Sequence, residues 1–373
     1  MMKKKYNSLV YLAALLLFVA ILFLYPRLGI TPMTVRSEAL SIPIETSEIE
    51  IPLQEKFGQN LIVGIPSTVL DDESREILEQ LKPAGIVLYQ RNFTSQEQLK
   101  KLISDLQDLA QQSTKSHYFI MLDEEPEGAN RLGLLKNIFT LGNPQWATIE
   151  KDIKTLKHLG INVLLAPLAD FPFVPNAFIS RRIPFQDPED LKAFNQTFIR
   201  LLQENGIHAT LKHFPGLGLF TDDPHYTYIR TDSPPELLLR SMDLFQDGID
   251  HGAHFIMSCH AQYDSFDDSN PSTFSHQIIT TMLQQELDFQ GIIVSDDLSD
   301  MPLAIENLDL TDAGIRAIMA GHHLIMFSHH LPDTRSIVEN ILQAASQDQL
   351  LLERIDENFH KISSFKSYLE AVN

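Results

Sequence analysis

Eight short apolar runs rich in β-branched residues, each followed by a longer segment of helical periodicity, limit what this chain can fold into more than any other feature. The runs occupy residues 61–65, 85–89, 118–122, 162–166, 208–212, 255–259, 291–295 and 323–327. Nearly continuous apolar character marks strands buried on both faces, as in a parallel sheet covered by helices. The intervening segments 94–112, 190–205, 235–251, 277–286 and 310–321 are amphipathic. Eight such alternations give the strand count of a (β/α)₈ TIM-type barrel. A doubly wound open sheet shares the alternation but usually carries a glycine-rich phosphate turn after its first strand. Here that turn reads Pro66-Ser67-Thr68. The expected fold class is therefore α/β, with a single barrel over residues 57–373.

The N-terminus reads differently. Lys3, Lys4 and Lys5 precede an apolar run from Leu9 to Tyr25, at the short end of what a bilayer core requires. Pro26-Arg27-Leu28-Gly29 follows, with no small-x-small cleavage pattern and no lipobox cysteine, which favours an uncleaved signal anchor over a cleaved signal peptide. Residues 1–25 are expected to form a basic stub and a transmembrane helix. Residues 26–56, with Pro32, Pro43 and Pro52, read as an extended linker. Lysines held inside place the barrel on the extracytoplasmic side of a bacterial cytoplasmic membrane.

A formal charge of −20, with no long Lys/Arg cluster to offset it, excludes nucleic acid as a partner. The lone Cys259 excludes an intrachain disulfide framework and a cysteine-based zinc site. A metal-dependent barrel hydrolase using His213, His225, His260 and Asp296 as ligands is disfavoured, because that class commonly places a His-x-His pair after strand one and residues 61–66 hold no histidine. No cofactor is expected. A monomer is favoured, although nothing in the sequence decides oligomeric state.

Barrel enzymes assemble their chemistry where strands end. The polar residues there are Asp123, Asp170, Lys212, His213, His260 and the pair Asp296-Asp297. Ionisable groups are seldom buried without partners, so their convergence points to a site, while Asp170 and His260 fit a structural hydrogen-bonding role equally well. Gly216 and Gly218 flank Leu217 and allow a loop that swings. Pro224 favours an extended Asp223-Pro224-His225 in which the carboxylate orients the imidazole as an acid/base device. The alternative is a plain Asp-Pro turn with a surface histidine. Of Asp296 and Asp297, adjacent on a strand, only one can face the barrel mouth, and the other must buttress the following loop.

Residues 212–218 (KHFPGLG) resemble the KHFPGHG signature of glycoside hydrolase family 3, in its β-N-acetylglucosaminidase branch. Asp223-Pro224-His225 falls where that branch carries a D-x-H dyad, and residues 294–301 (VSDDLSDM) resemble its nucleophile motif. Weaker likenesses lie at 255–260, 271–275 and 317–324. The resemblance implies Asp296 as nucleophile, His225 as general acid then base, and Asp223 as the histidine's partner. It also implies Lys212, His213, Asp123, Arg131 and Arg182 as sugar-binding residues, and an amino-sugar glycan as substrate. Three departures stand in sugar-contacting segments: Pro126-Glu127-Gly128 for Gly-Gly-Arg, Leu217 for the second histidine, and Ile183-Pro184-Phe185 for Ser-Phe-Gly. A glycan-binding protein without turnover and a phosphorylase of the same family are the alternatives.

Overall fold

The computed structural model describes residues 51–140, 143–299 and 309–372. Eight parallel strands close into a barrel: β1 (Leu61–Gly64), β2 (Gly85–Leu88), β3 (Phe119–Leu122), β4 (Val163–Leu164), β5 (His208–Phe214), β6 (Phe255–Ser258), β7 (Ile292–Asp297) and β8 (Leu324–Phe327). They neighbour one another in chain order, and the barrel shuts where β1 pairs with β8 through Leu61↔Ile325 and Val63↔Phe327. Every predicted run is a strand. The helices are α1 (Leu53–Gly58), α2 (Asp72–Leu81), α3 (Gln96–Thr114), α4 (Trp146–Leu159), α5 (Pro188–Glu204), α6 (Pro235–Asp250), α7 (Leu310–Ala320), α8 (Leu331–Ala345) and α9 (Gln349–Val372), with a π-helix at Gln277–Glu286.

Burial on both strand faces explains the unbroken apolar runs. Ile62, Val87, Phe119, Val163, Phe255, Ile292 and Leu324 pack together in one cluster, whereas Val63, Ile86, Ile120, Leu164, Ile256, Ile293 and Ile325 belong to the larger one shared with the helices. Caps set the helix starts: Asp71 accepts from Ser74 N–H at 2.8 Å, and Asp187 precedes Pro188, which opens α5.

Helix α9 reaches the barrel interior: its Ile362 and Leu369 join the interior cluster, and the Phe365 ring sits 5.4 Å from that of Phe255. Phe119, Phe255, Ile292 and Leu324 open their strands, so α9 plugs the N-terminal end of the barrel. Helix α1 begins at Leu53, inside the stretch expected to be an extended linker. The predicted transmembrane segment and the linker up to residue 50 lie outside the described residues. Among those described, no helix is long and apolar enough to cross a membrane.

Candidate active site

At the C-terminal mouth of the barrel, charges interlock. Lys212, on β5, is 2% exposed, and its Nζ lies 2.5 Å from Asp123 Oδ1 and 2.6 Å from Glu125 Oε1. Burial alone would depress the lysine pKa, but the two carboxylates outweigh it and hold the ammonium above its ordinary value. Glu125 also takes a forked contact from Arg182, Nη2 to Oε1 at 2.5 Å and Nε to Oε2 at 3.0 Å. Burial pushes the Glu125 carboxyl up, and Lys212 and Arg182 together drive it well below the usual range. Arg131 meets Asp123 Oδ2 at 3.1 Å. Three cations thus share two carboxylates.

The segment after β3 is moulded by buried acids. Glu124 accepts the backbone N–H groups of Arg131, Leu132 and Leu134 at 2.8, 2.7 and 2.6 Å, which fixes the turn presenting Arg131. Glu125 Oε2 accepts Ala129 N–H at 2.7 Å, and a Cβ at Gly128 would lie 1.9 Å from that oxygen. Pro126-Glu127-Gly128 thus wraps the Glu125 carboxylate, with the side chain of Glu127 accepting Ile138 N–H at 2.7 Å.

Asp170 organises the next turn. It accepts His213 Nδ1 at 2.7 Å, His213 N–H at 3.2 Å and Leu217 N–H at 2.7 Å, and it is fully buried. The two glycines that suggested a swinging loop serve close packing in this structure. A Cβ at Gly216 would lie 1.7 Å from Ser241 Oγ, and one at Gly218 would lie 1.6 Å from Phe171 O. Both glycines are needed for close packing, and Leu217 is a core residue at 2% exposure.

The pairing of β5 with β6 and of β7 with β8 shifts register near the mouth, between Leu211 and Phe214 and between Val294 and Asp297. On β7 the two aspartates differ in their surroundings, and Asp297 is the one that buttresses the following loop. Asp297 is buried and accepts Ser299 N–H and Oγ–H at 2.9 and 2.7 Å, Ser328 N–H at 3.1 Å, the Ser328 hydroxyl, and His329 Nδ1 at 3.1 Å. Asp296 is half-buried, and its hydrogen bond comes from the N–H of Asp297 at 2.8 Å. Asp300 and Met301, which end the motif, lie outside the described residues.

Asp223 and His225 pair directly: Nδ1 to Oδ1 is 2.6 Å and the His225 N–H donates to the same oxygen at 2.9 Å. The tripeptide is not extended. Tyr226 N–H bonds Asp223 O at 3.1 Å, closing a turn in which Pro224 supplies the fixed φ and Asp223 the capping carboxylate. The surface-turn geometry and the dyad are thus the same object. Burial would raise the Asp223 carboxyl, but the His225 N–H and ring, helped by Arg182, hold it below its ordinary value. The dyad stands at the rim, 51% and 41% exposed, within electrostatic reach of the Arg182 cluster.

Residues 52–365 match the family model described as the glycosyl hydrolase family 3 N terminal domain. The chain belongs to glycoside hydrolase family 3. It is accordingly a glycosidase acting on O-glycosyl bonds. A beta-hexosaminidase of Stenotrophomonas maltophilia (strain R551-3) is 31% identical over 257 residues, covering 64% of this chain and 74% of its own length. One from Psychromonas ingrahamii is 29% identical over 300 residues, covering 75% of this chain and 86% of its own. Two solved structures share the fold at 24% identity and a TM-score of 0.75, each over 85% of this chain. They are a family 3 beta-N-acetylglucosaminidase from Paenibacillus sp. str. FPU-7, of which this chain spans 63%, and a beta-N-acetylhexosaminidase from Beutenbergia cavernae DSM 12333, of which it spans 99%.

Of the eight residues implied by the resemblance, Asp123, Lys212, His213 and Asp296 stand at strand ends, Arg131 and Arg182 reach the charge cluster from the loops after β3 and β4, and Asp223 and His225 lie on the loop beyond β5. Sequence reading passed over Glu125, which joins Lys212 to Arg182, and left the role of Asp170 open. Tyr89 was counted as the end of the second run. Burial, then Asp297, Asp123 and Asp296, push its phenol well above its usual pKa, and the Arg91 guanidinium lies 4.5 Å from its ring centroid. A tyrosine closing an otherwise aliphatic run was the available signal. His260 is buried, and its ring nitrogens meet Thr273 Oγ1 at 2.6 Å and Asp297 O at 3.3 Å.

Proposed function

We propose that this family 3 glycosidase is a retaining β-N-acetylhexosaminidase that removes β-linked N-acetylglucosamine from peptidoglycan-derived or related amino-sugar glycans. The observation that carries the reading is the Asp223–His225 pair. With Nδ1 committed to Asp223, Nε2 is the nitrogen left to exchange a proton, and an imidazole can both give and take one near neutral pH. The names borne by the similar proteins support the choice of sugar.

In this reading Asp296 attacks the anomeric carbon while His225 Nε2–H protonates the departing oxygen, and a glycosyl-aspartate forms. Neutral Nε2 then accepts a proton from water as the water's oxygen bonds the anomeric carbon and Asp296 leaves. Lys212, His213, Asp123, Arg131 and Arg182 hold the sugar hydroxyls, the three cations presenting donors and Asp123 an acceptor. The anchor read at residues 9–25 places this chemistry outside the cytoplasmic membrane, which fractionation and protease accessibility of intact cells would test.

The deciding assay gives the full-length protein a chromogenic β-N-acetylglucosaminide and the matching glucoside, beside Asp296→Ala and His225→Ala. Turnover of the first substrate, lost in Asp296→Ala, is expected. Turnover of the glucoside alone overturns the sugar assignment, full activity in Asp296→Ala overturns the mechanism, and binding without turnover favours a glycan-binding role. Sugar phosphate as the product when phosphate is present would identify a phosphorylase.

A further inference from the structure

Tyr226 is 76% exposed, whereas the other exposed large apolar side chains among the described residues, Val69, Leu239, Leu350 and Tyr368, range from 53 to 58%. An aromatic ring left in water gains nothing from burial, so folding does not account for it. Its neighbour by two residues shows the contrast: Tyr228 is half-buried, with its hydroxyl bonded to Gln262. Position makes the exposure informative. Tyr226 directly follows His225 in the turn closed by its own N–H on Asp223 O, and the two rings lie 6.5 Å apart, tilted by 55°. Imidazole and phenol ride on one short turn whose corners are tied to the same aspartate.

On the reading of His225 as the acid, its proton goes to the oxygen joining the cleaved sugar to the leaving group. The first ring of a glycan leaving group then lies beside the imidazole, and Tyr226 is the exposed ring next to that imidazole. The C–H face of a pyranose is apolar and flat enough to lie on an aromatic ring, and a tyrosine brings that surface with little rotamer entropy to lose. We propose that Tyr226 is the platform for the leaving-group sugar and sets a preference for glycan over small leaving groups.

The test compares kcat/KM of the full-length parent, Tyr226→Ala and Tyr226→Phe on N,N′-diacetylchitobiose and on methyl β-N-acetylglucosaminide. The methyl glycoside has no ring to stack yet still needs its leaving oxygen protonated. Tyr226→Ala should lose about tenfold on the disaccharide and stay within about twofold on the methyl glycoside, with Tyr226→Phe near the parent on both. Equal losses on both substrates would mean that the ring only supports His225. No loss on the disaccharide would mean that it touches no sugar. Either result overturns the proposal while leaving the function standing. A parent inert on both substrates removes the function and the proposal together.

Discussion

Glu125→Gln removes the charge that Lys212 and Arg182 share while keeping the side chain's shape. The Glu125 carboxylate and the Lys212 ammonium are buried and the Arg182 side chain is 22% exposed, so solvent screens these contacts little. Removing one partner of a buried ion pair costs roughly 3–5 kcal/mol, and an amide oxygen recovers part of it, so about 3 kcal/mol is expected for Glu125→Gln. Arg182→Met leaves Glu125 with Lys212 and should cost about 2 kcal/mol, since its guanidinium is partly wet. Carried together, the two changes delete one anion and one cation. The double variant should then lose about 3 kcal/mol, a coupling of about 2 kcal/mol. Urea unfolding of the four proteins gives the cycle directly, and kcat/KM in parallel should fall at least 100-fold in Glu125→Gln as Lys212 loses its position, by an order-of-magnitude argument. Additivity within about 0.5 kcal/mol would refute the shared-carboxylate account. Because the Glu125 pKa is depressed in the fold, its contribution is complete above the unfolded glutamate value and fades as pH falls through the folded one.

The two aspartates of β7 should separate. Asp297→Ala strands the Ser299, Ser328 and His329 donors and should lower stability by about 3 kcal/mol, whereas Asp296→Ala should unfold within about 1 kcal/mol of the parent yet lose turnover; equal unfolding midpoints for the two would count against the division. Burial depresses the imidazoles of His208 to about 3, His322 to about 4 and His323 to about 3. The unfolded chain takes up these protons first, so stability should fall as pH drops below about 6.5, by up to about 4 kcal/mol per unit near pH 5. A urea midpoint unchanged between pH 7 and 5 contradicts this. Lys366 is buried against the barrel floor, and burial lowers its pKa to about 7. Lys366→Met should stabilise the protein by about 1–3 kcal/mol at pH 6 and by less at pH 9, where the folded lysine is already neutral and no longer bears a buried charge. An advantage growing with pH would have the wrong sign.

The barrel was legible because strands buried on both faces leave long apolar runs, and β1 to β8 fall within a residue or two of those runs. The tether boundary and the place of α9 were not, since composition does not say which surface an amphipathic helix covers. Lys212, Asp123 and Asp296 could be found because strand ends are where ionisable groups have reason to gather. Glu125 escaped because its role depends on two cations that are 57 and 87 positions away in sequence, and a carboxylate two residues past Asp123 looks like one more loop acid. Glycine spacing at 216 and 218 suggested freedom where the fold uses the missing Cβ for contact. The reading of an extended Asp-Pro-His was undone by the aspartate's own oxygen, which caps the turn.

Trapping settles the central assignment most directly. A slow substrate such as a 5-fluoro N-acetylglucosaminyl fluoride should leave a sugar covalently bound, with the intact mass raised by one glycosyl unit and fragmentation placing it on Asp296. Label on any other side chain, or inverted anomeric product with no label from a protein that turns over, would contradict the account.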